Sequence, residues 1–147
     1  MKTGDEEIVC FNLILHHLVG SSEESTRALQ VQALGNWSAD NIKVFVNEYI
    51  YESWLDDVSG KLIYMITKSR VLSFIGNLVA KVFPSLKANT FGVGVRFRSS
   101  ASWKRVFTQA GFKVSNEVQG SEEIIAAPRR LLLIKSIRRD SFLLESL

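Results

Sequence analysis

Residues 8–15, Ile-Val-Cys-Phe-Asn-Leu-Ile-Leu, are apolar almost without interruption. A strand with one wet face alternates, whereas a strand covered on both faces of a parallel sheet does not. The run therefore predicts a buried strand over 8–15. Ser21 followed by Glu24 has the spacing of a capping box. Leu29, Ala33 and Trp37 then recur at helical spacing around the Gly35-Asn36 break, which predicts a helix over about 22–34. Ile42 to Ile50 is rich in β-branched and aromatic residues and reads as a second buried strand. Strand, helix and strand with short connections form a parallel unit, and the α/β class follows.

From Asp56 to Phe83 the apolar positions Leu62, Met65, Ile66 and then Leu72, Ile75, Leu78, Val79 fall three and four apart. Two short helices are expected, ended by Pro84. Residues 85–98 read as a loop. Ser99 or Ser100 then caps a helix whose buried face is Trp103, Phe107 and Ala110, with Gly111 placed for a left-handed C-terminal turn. Phe112 to Val118 and Arg130 to Ile137 read as strands. The polar connection Gly120 to Pro128 is short enough to make them an antiparallel pair.

The length of 147 residues fits one domain, and 46% apolar with 22% charged residues excludes disordered and disulfide-rich classes. The net charge of +3 is divided unevenly: residues 1–60 carry 3 basic and 10 acidic side chains, residues 61–147 carry 15 basic and 5 acidic. The single cysteine, Cys10, sits in an apolar run and reads as a small buried hydrophobe in a reducing, cytoplasmic protein. The acidic N-terminus does not resemble a signal peptide. The stretch Val71 to Phe83, interrupted by Asn77 and Lys81, is too short to span a bilayer and reads as an amphipathic or core helix, so no membrane partner is expected.

Phe11-Asn12-Leu13-Ile14-Leu15-His16-His17-Leu18, Phe45-Val46-Asn47-Glu48, and Trp103 through Phe107 to Ala110-Gly111-Phe112 together resemble the C-terminal half of a class I S-adenosylmethionine-dependent methyltransferase. They match, in turn, that family's fourth strand, its fifth strand with an acidic end, and the helix and Ala-Gly-Phe turn before its sixth strand. The resemblance covers nearly the whole chain. Asn12 stands where the family usually has Asp. The resemblance implies a three-layer, Rossmann-like half-fold whose strands lie in the family order four, five, seven, six, with a helical insertion at about 55–90 on the acceptor side. It also implies methyl transfer to an unknown acceptor, with S-adenosylmethionine as cofactor. The family's glycine-rich cofactor loop has no counterpart: the one G-x-G, Gly92-Val93-Gly94, is followed by Phe97 where a third glycine is needed, and it reads as a turn. The chain is therefore expected to be a fragment that lacks activity alone. A strand 8–15 left at an edge invites a homodimer through that edge.

Ligands in open α/β sheets bind beyond the C-terminal strand ends. His16 and His17 end the first strand and are the candidate general bases, since a neutral imidazole can take a proton from an acceptor hydroxyl or amine. Glu48, with Tyr49, Tyr51 and Trp54, is the candidate lining of an acceptor pocket. Two histidines without further ligands make no metal site. Arg96, Arg98, Lys104, Arg105, Arg129, Arg130, Arg138 and Arg139 could track a phosphate backbone, but their dispersal reads as an ordinary solvated face. A non-catalytic interaction module binding nucleic acid through this basic half is the alternative function.

Overall fold

The computed structural model describes residues 7–38, 42–72, 94–147, and residues 74, 78 and 81. Four strands form one mixed sheet: β1 (Ile8–Asn12), β2 (Lys43–Ser53), β3 (Phe112–Gln119) and β4 (Ile134–Ser146), in the order β1-β2-β4-β3. β1 and β2 are parallel, with Val9 beside Val44 and Phe11 beside Val46. β4 runs antiparallel to both β2 and β3. This is the order expected from the resemblance, and the α/β class stands.

Helix α1 (Glu23–Gly35) and helix α3 (Ser100–Gln109) pack on the sheet face that carries Val44, Val46, Ile50, Phe142 and Leu144. Helix α2 (Val58–Lys68) lies between them in sequence, and a single turn, α4 (Ala127–Arg130), precedes β4. Leu15 and Leu34 join Trp103, Val106 and Phe107 in the core, where Phe107 meets Phe142 edge-on at 5.2 Å. α1 is capped by Ser22, whose hydroxyl accepts from the Ser25 N–H while the Ser25 hydroxyl accepts from the Ser22 N–H. The capping box is thus one residue beyond the expected Ser21–Glu24. The stripe that α1 buries is Thr26, Gln30 and Leu34, so Leu29 is left exposed. Ser99 caps α3, and Gly111 follows it at φ +87°.

Three expectations are corrected. The first strand stops at Asn12 and is not covered on both faces, because it sits at the sheet edge and alternates in burial; Ile8 is 52% exposed. Cys10 points to that uncovered face and is exposed, not a buried hydrophobe. The last strand begins at Ile134 and runs to Ser146, because residues 127–133 are spent on α4 and a turn through Leu133 at φ +58°. Pro84, Gly92, most of the expected second helix and residues 85–93 of the loop lie outside the described residues.

Candidate functional site

The site begins where β1 ends. Leu13 takes a left-handed conformation, φ +52°, while its N–H still donates to the Asn47 carbonyl. A branched side chain in that region costs about 1–3 kcal/mol and persists only when its surroundings impose it. The turn throws Leu15–His17 into a single 3-10 turn beside β2. There Glu48, fully buried on the core face of β2, accepts the Leu15 N–H at Oε1 (2.6 Å) and meets His16 Nδ1 at Oε2 (2.6 Å). A buried carboxylate needs such donors to remain in place. In the neutral imidazole this contact sets the proton on Nδ1 and leaves Nε2 as the acceptor.

Aromatic rings enclose the imidazole. Phe97 stacks on His16 at 4.9 Å, Tyr51 stacks on the Phe97 ring at 4.3 Å, and Tyr49 meets His16 edge-on at 6.2 Å. Arg139 lies over Tyr49, 4.7 Å from the ring centroid, and donates to its hydroxyl. Burial pushes the Tyr51 hydroxyl up to about 12. His17 stays exposed, 4.1 Å from His16. Partial burial, and then the neighbouring His16, hold its pKa below the ordinary histidine value.

The turn is pinned from the other side by groups far away in sequence. Gln30 Nε2 donates to the Leu15 carbonyl, and the Arg96 N–H donates to the His16 carbonyl (2.9 Å). Where β1 stops, residues 96–98 take its place beside β2, with the Tyr51 N–H donating to the Arg98 carbonyl. The Arg96 and Arg98 side chains are fully buried. Arg96 bonds Glu23 and Asp57; Arg98 bonds Glu23 and, through Nε, the Gln30 side-chain oxygen. Two guanidiniums face two carboxylates, so the cluster is neutral, as buried charge must be. Asp57 also accepts the Ser99 N–H at the start of α3 (3.0 Å). Burial raises a carboxyl, but hydrogen bonds from Arg96 and Arg98 hold Glu23 below its ordinary value.

Of the residues singled out in the sequence, His16 and Glu48 are in direct contact, and Tyr49 and Tyr51 belong to the surrounding aromatic group. Trp54 is not brought to them: it is 69% exposed and borders a separate hollow with Glu122, Glu123 and Arg130, where Lys135 sits over its ring. The basic face is corrected too. Arg96 and Arg98 are internal, Arg138 is held by Asp140 and Glu52, and Lys104 pairs with Glu117. Sequence reasoning missed Gln30, Asp57, Glu23 and the packing role of Phe97. The only local signal was the Arg-Phe-Arg alternation.

Among the described residues, no three His, Cys, Asp or Glu are arranged to hold a metal ion, and no helix is long and apolar enough to cross a membrane. Nor do these residues fit the cofactor that the resemblance implies. All six described glycines turn their open side toward the chain's own atoms: a Cβ on Gly20 would meet Ser25, on Gly60 the Phe97 carbonyl, and on Gly120 the Arg139 carbonyl. None forms an open backbone cradle for a ligand.

No family profile and no curated protein sequence matches the chain. Among solved structures it is similar to LepI in complex with SAM and to a structure described as a pericyclic reaction enzyme. Each is 9% identical, with a TM-score of 0.50, and the match covers 96% of this chain and 26% of the other. The mitomycin 7-O-methyltransferase MmcR matches at 10% identity and a TM-score of 0.47, covering 96% of this chain and 30% of its own. The chain thus spans about a quarter of the length of the LepI structure it matches. At these identities the likeness is one of fold alone, a mixed α/β sheet flanked by helices.

Proposed function

We propose that this chain forms the acceptor-side portion of an S-adenosylmethionine-dependent methyltransferase, with His16 as its general base. The observation that carries the reading is the 2.6 Å contact of His16 Nδ1 with a buried Glu48, at the C-terminal end of a parallel strand pair. An acceptor hydroxyl or amine must lose a proton as it is alkylated. Nε2 has no partner among the described residues and can take that proton, and Glu48 then faces the imidazolium it creates. Tyr49, Tyr51 and Phe97 exclude water from one side of the imidazole and keep its ring from turning. His17 is exposed beside it, and its pKa is lowered. The electrophilic methyl group comes from a cofactor held by residues outside this chain, so the chain alone is inactive. Internal neutralisation of Arg96, Arg98 and Arg138 counts against the nucleic-acid alternative.

The test is transfer from radiolabelled S-adenosylmethionine, using this chain joined to the polypeptide that supplies the cofactor loop and a panel of hydroxyl and amine acceptors. His16→Gln should lower kcat by about 10²–10⁴, the usual worth of a positioned base. Transfer unaffected by His16→Gln, or absent with every acceptor, would overturn the reading.

A further inference from the structure

The stripe that α1 turns inward would be apolar if it only packed, yet at its centre stands Gln30, completely buried. A buried primary amide is costly unless both of its ends are bonded. Here the oxygen accepts from Arg98 Nε at 2.8 Å, and the nitrogen donates to the Leu15 carbonyl at 3.0 Å. A guanidinium has donors and no acceptor, so Arg98 admits only this orientation of the amide. The Leu15 carbonyl does not depend on Gln30 for a partner, because the Leu18 N–H donates to it at 3.0 Å within the 3-10 turn. The bond from Gln30 is thus an added restraint on a group that the turn has already paired.

That carbonyl shares one rigid peptide plane with the His16 N–H. The next plane carries the His16 carbonyl, which the Arg96 N–H holds at 2.9 Å. The planes on both sides of the His16 Cα are thereby fixed, and with them the direction in which the side chain leaves the backbone. From that direction Nδ1 meets Glu48 Oε2 at 2.6 Å. A catalytic group has to be held to within about 0.5 Å of its productive position, which is the work of its supporting bonds. We propose that Gln30 is a positioning residue for His16: held by Arg98, it orients the Leu15–His16 peptide and so keeps Nδ1 on Glu48 and Nε2 turned away from it. The inference rests on the reading of His16 as the base and adds a side chain that acts on it through the backbone.

The experiment is nitrogen-15 NMR of the His16 ring in the full chain, comparing wild type with Gln30→Met and Gln30→Glu. Methionine is of similar length and makes neither bond. An ionised glutamate keeps an oxygen for Arg98 but has no N–H for the Leu15 carbonyl, so whichever variant folds gives the reading. In each, the ratio of Nε2-protonated to Nδ1-protonated ring should rise roughly two- to tenfold, the worth of one neutral hydrogen bond. The change is partial because the Arg96 N–H still holds the second plane. Gly111→Ala, strained at φ +87°, separates aim from stability: it should lower the melting temperature and leave the ratio as in wild type. With the wild-type ring protonated at Nδ1, an unchanged ratio in the Gln30 variants, or an equal change in Gly111→Ala, overturns the positioning role and leaves that of His16 standing. A wild-type ring protonated at Nε2 overturns both.

Discussion

Replacing Asp57 by asparagine removes one of the two carboxylates that neutralise Arg96 and Arg98 while keeping the shape of the side chain. Asp57 is 2% exposed, bonds Arg96, lies 3.9 Å from Arg98 Nη1, and accepts the Ser99 N–H that opens α3. The substituted side chain can still accept from Ser99 through its oxygen. Its amide, however, turns a donor toward Arg96, and the cluster is left with two buried cations and one carboxylate. Breaking a buried pair by removing one partner costs about 3–5 kcal/mol, because the remaining charge is uncompensated. Folded domains are stable by only about 5–15 kcal/mol, so about a fifth or more of the total is at stake. At about 3 °C per kcal/mol for a chain of this size, the melting temperature should fall by roughly 9–15 °C. The assay is urea unfolding followed by circular dichroism and by the fluorescence of the buried Trp103, with Lys104→Met as the reference. Lys104 pairs with Glu117 at 2.6 Å but is 44% exposed, so its loss should cost less than about 1 kcal/mol. An Asp57→Asn cost no larger than that of Lys104→Met would refute the view that the arginines are held as a buried, neutral cluster.

Other outcomes follow from the same geometry. Glu23 is held below its ordinary pKa of 4.5, so its contribution to stability is present above that value and lost as the pH falls through the lowered one; Glu23→Gln should flatten the acid limb of a stability-against-pH curve. Gly111→Ala places a side chain at φ +87°, within 3.3 Å of Ser38 Cβ, and should destabilise by about 1–2 kcal/mol in the same urea assay. Cys10 should react with a disulfide reagent in the native protein without a lag, whereas a buried thiol would react only as fast as the chain opens.

The strand order came with the family resemblance, whereas the placing of His16 and Glu48 at one sheet edge rested on local signals: two apolar runs joined by a capped helix, each ending in a polar group. What local pattern hides is which side of a strand a partner covers. The run at 8–15 looks buried throughout, yet Ile8 and Cys10 are exposed, because β1 is the edge strand of the sheet and nothing among the described residues covers that face. In β4 the apolar cluster Leu131 to Ile134 suggested a start too early. The true inward alternation runs through Ser136, Arg138, Asp140, Phe142 and Leu144, three of the five polar. Arg96 and Arg98 read as solvated because their partners are remote: Glu23 is 73 residues from Arg96, and Asp57 is 39. No periodicity records such a pairing, and only the fold brings it together.

The role proposed for the site rests on Glu48 fixing His16 as a base with its Nε2 open. Nitrogen-15 NMR of the two imidazoles tests this directly, since it reports which ring nitrogen carries the proton. Neutral His16 should be protonated at Nδ1, with that proton shifted by its bond to Glu48, and Glu48→Gln should move the tautomer balance while leaving the fold intact. A neutral His16 protonated at Nε2, or one whose tautomer balance ignores Glu48→Gln, would contradict it.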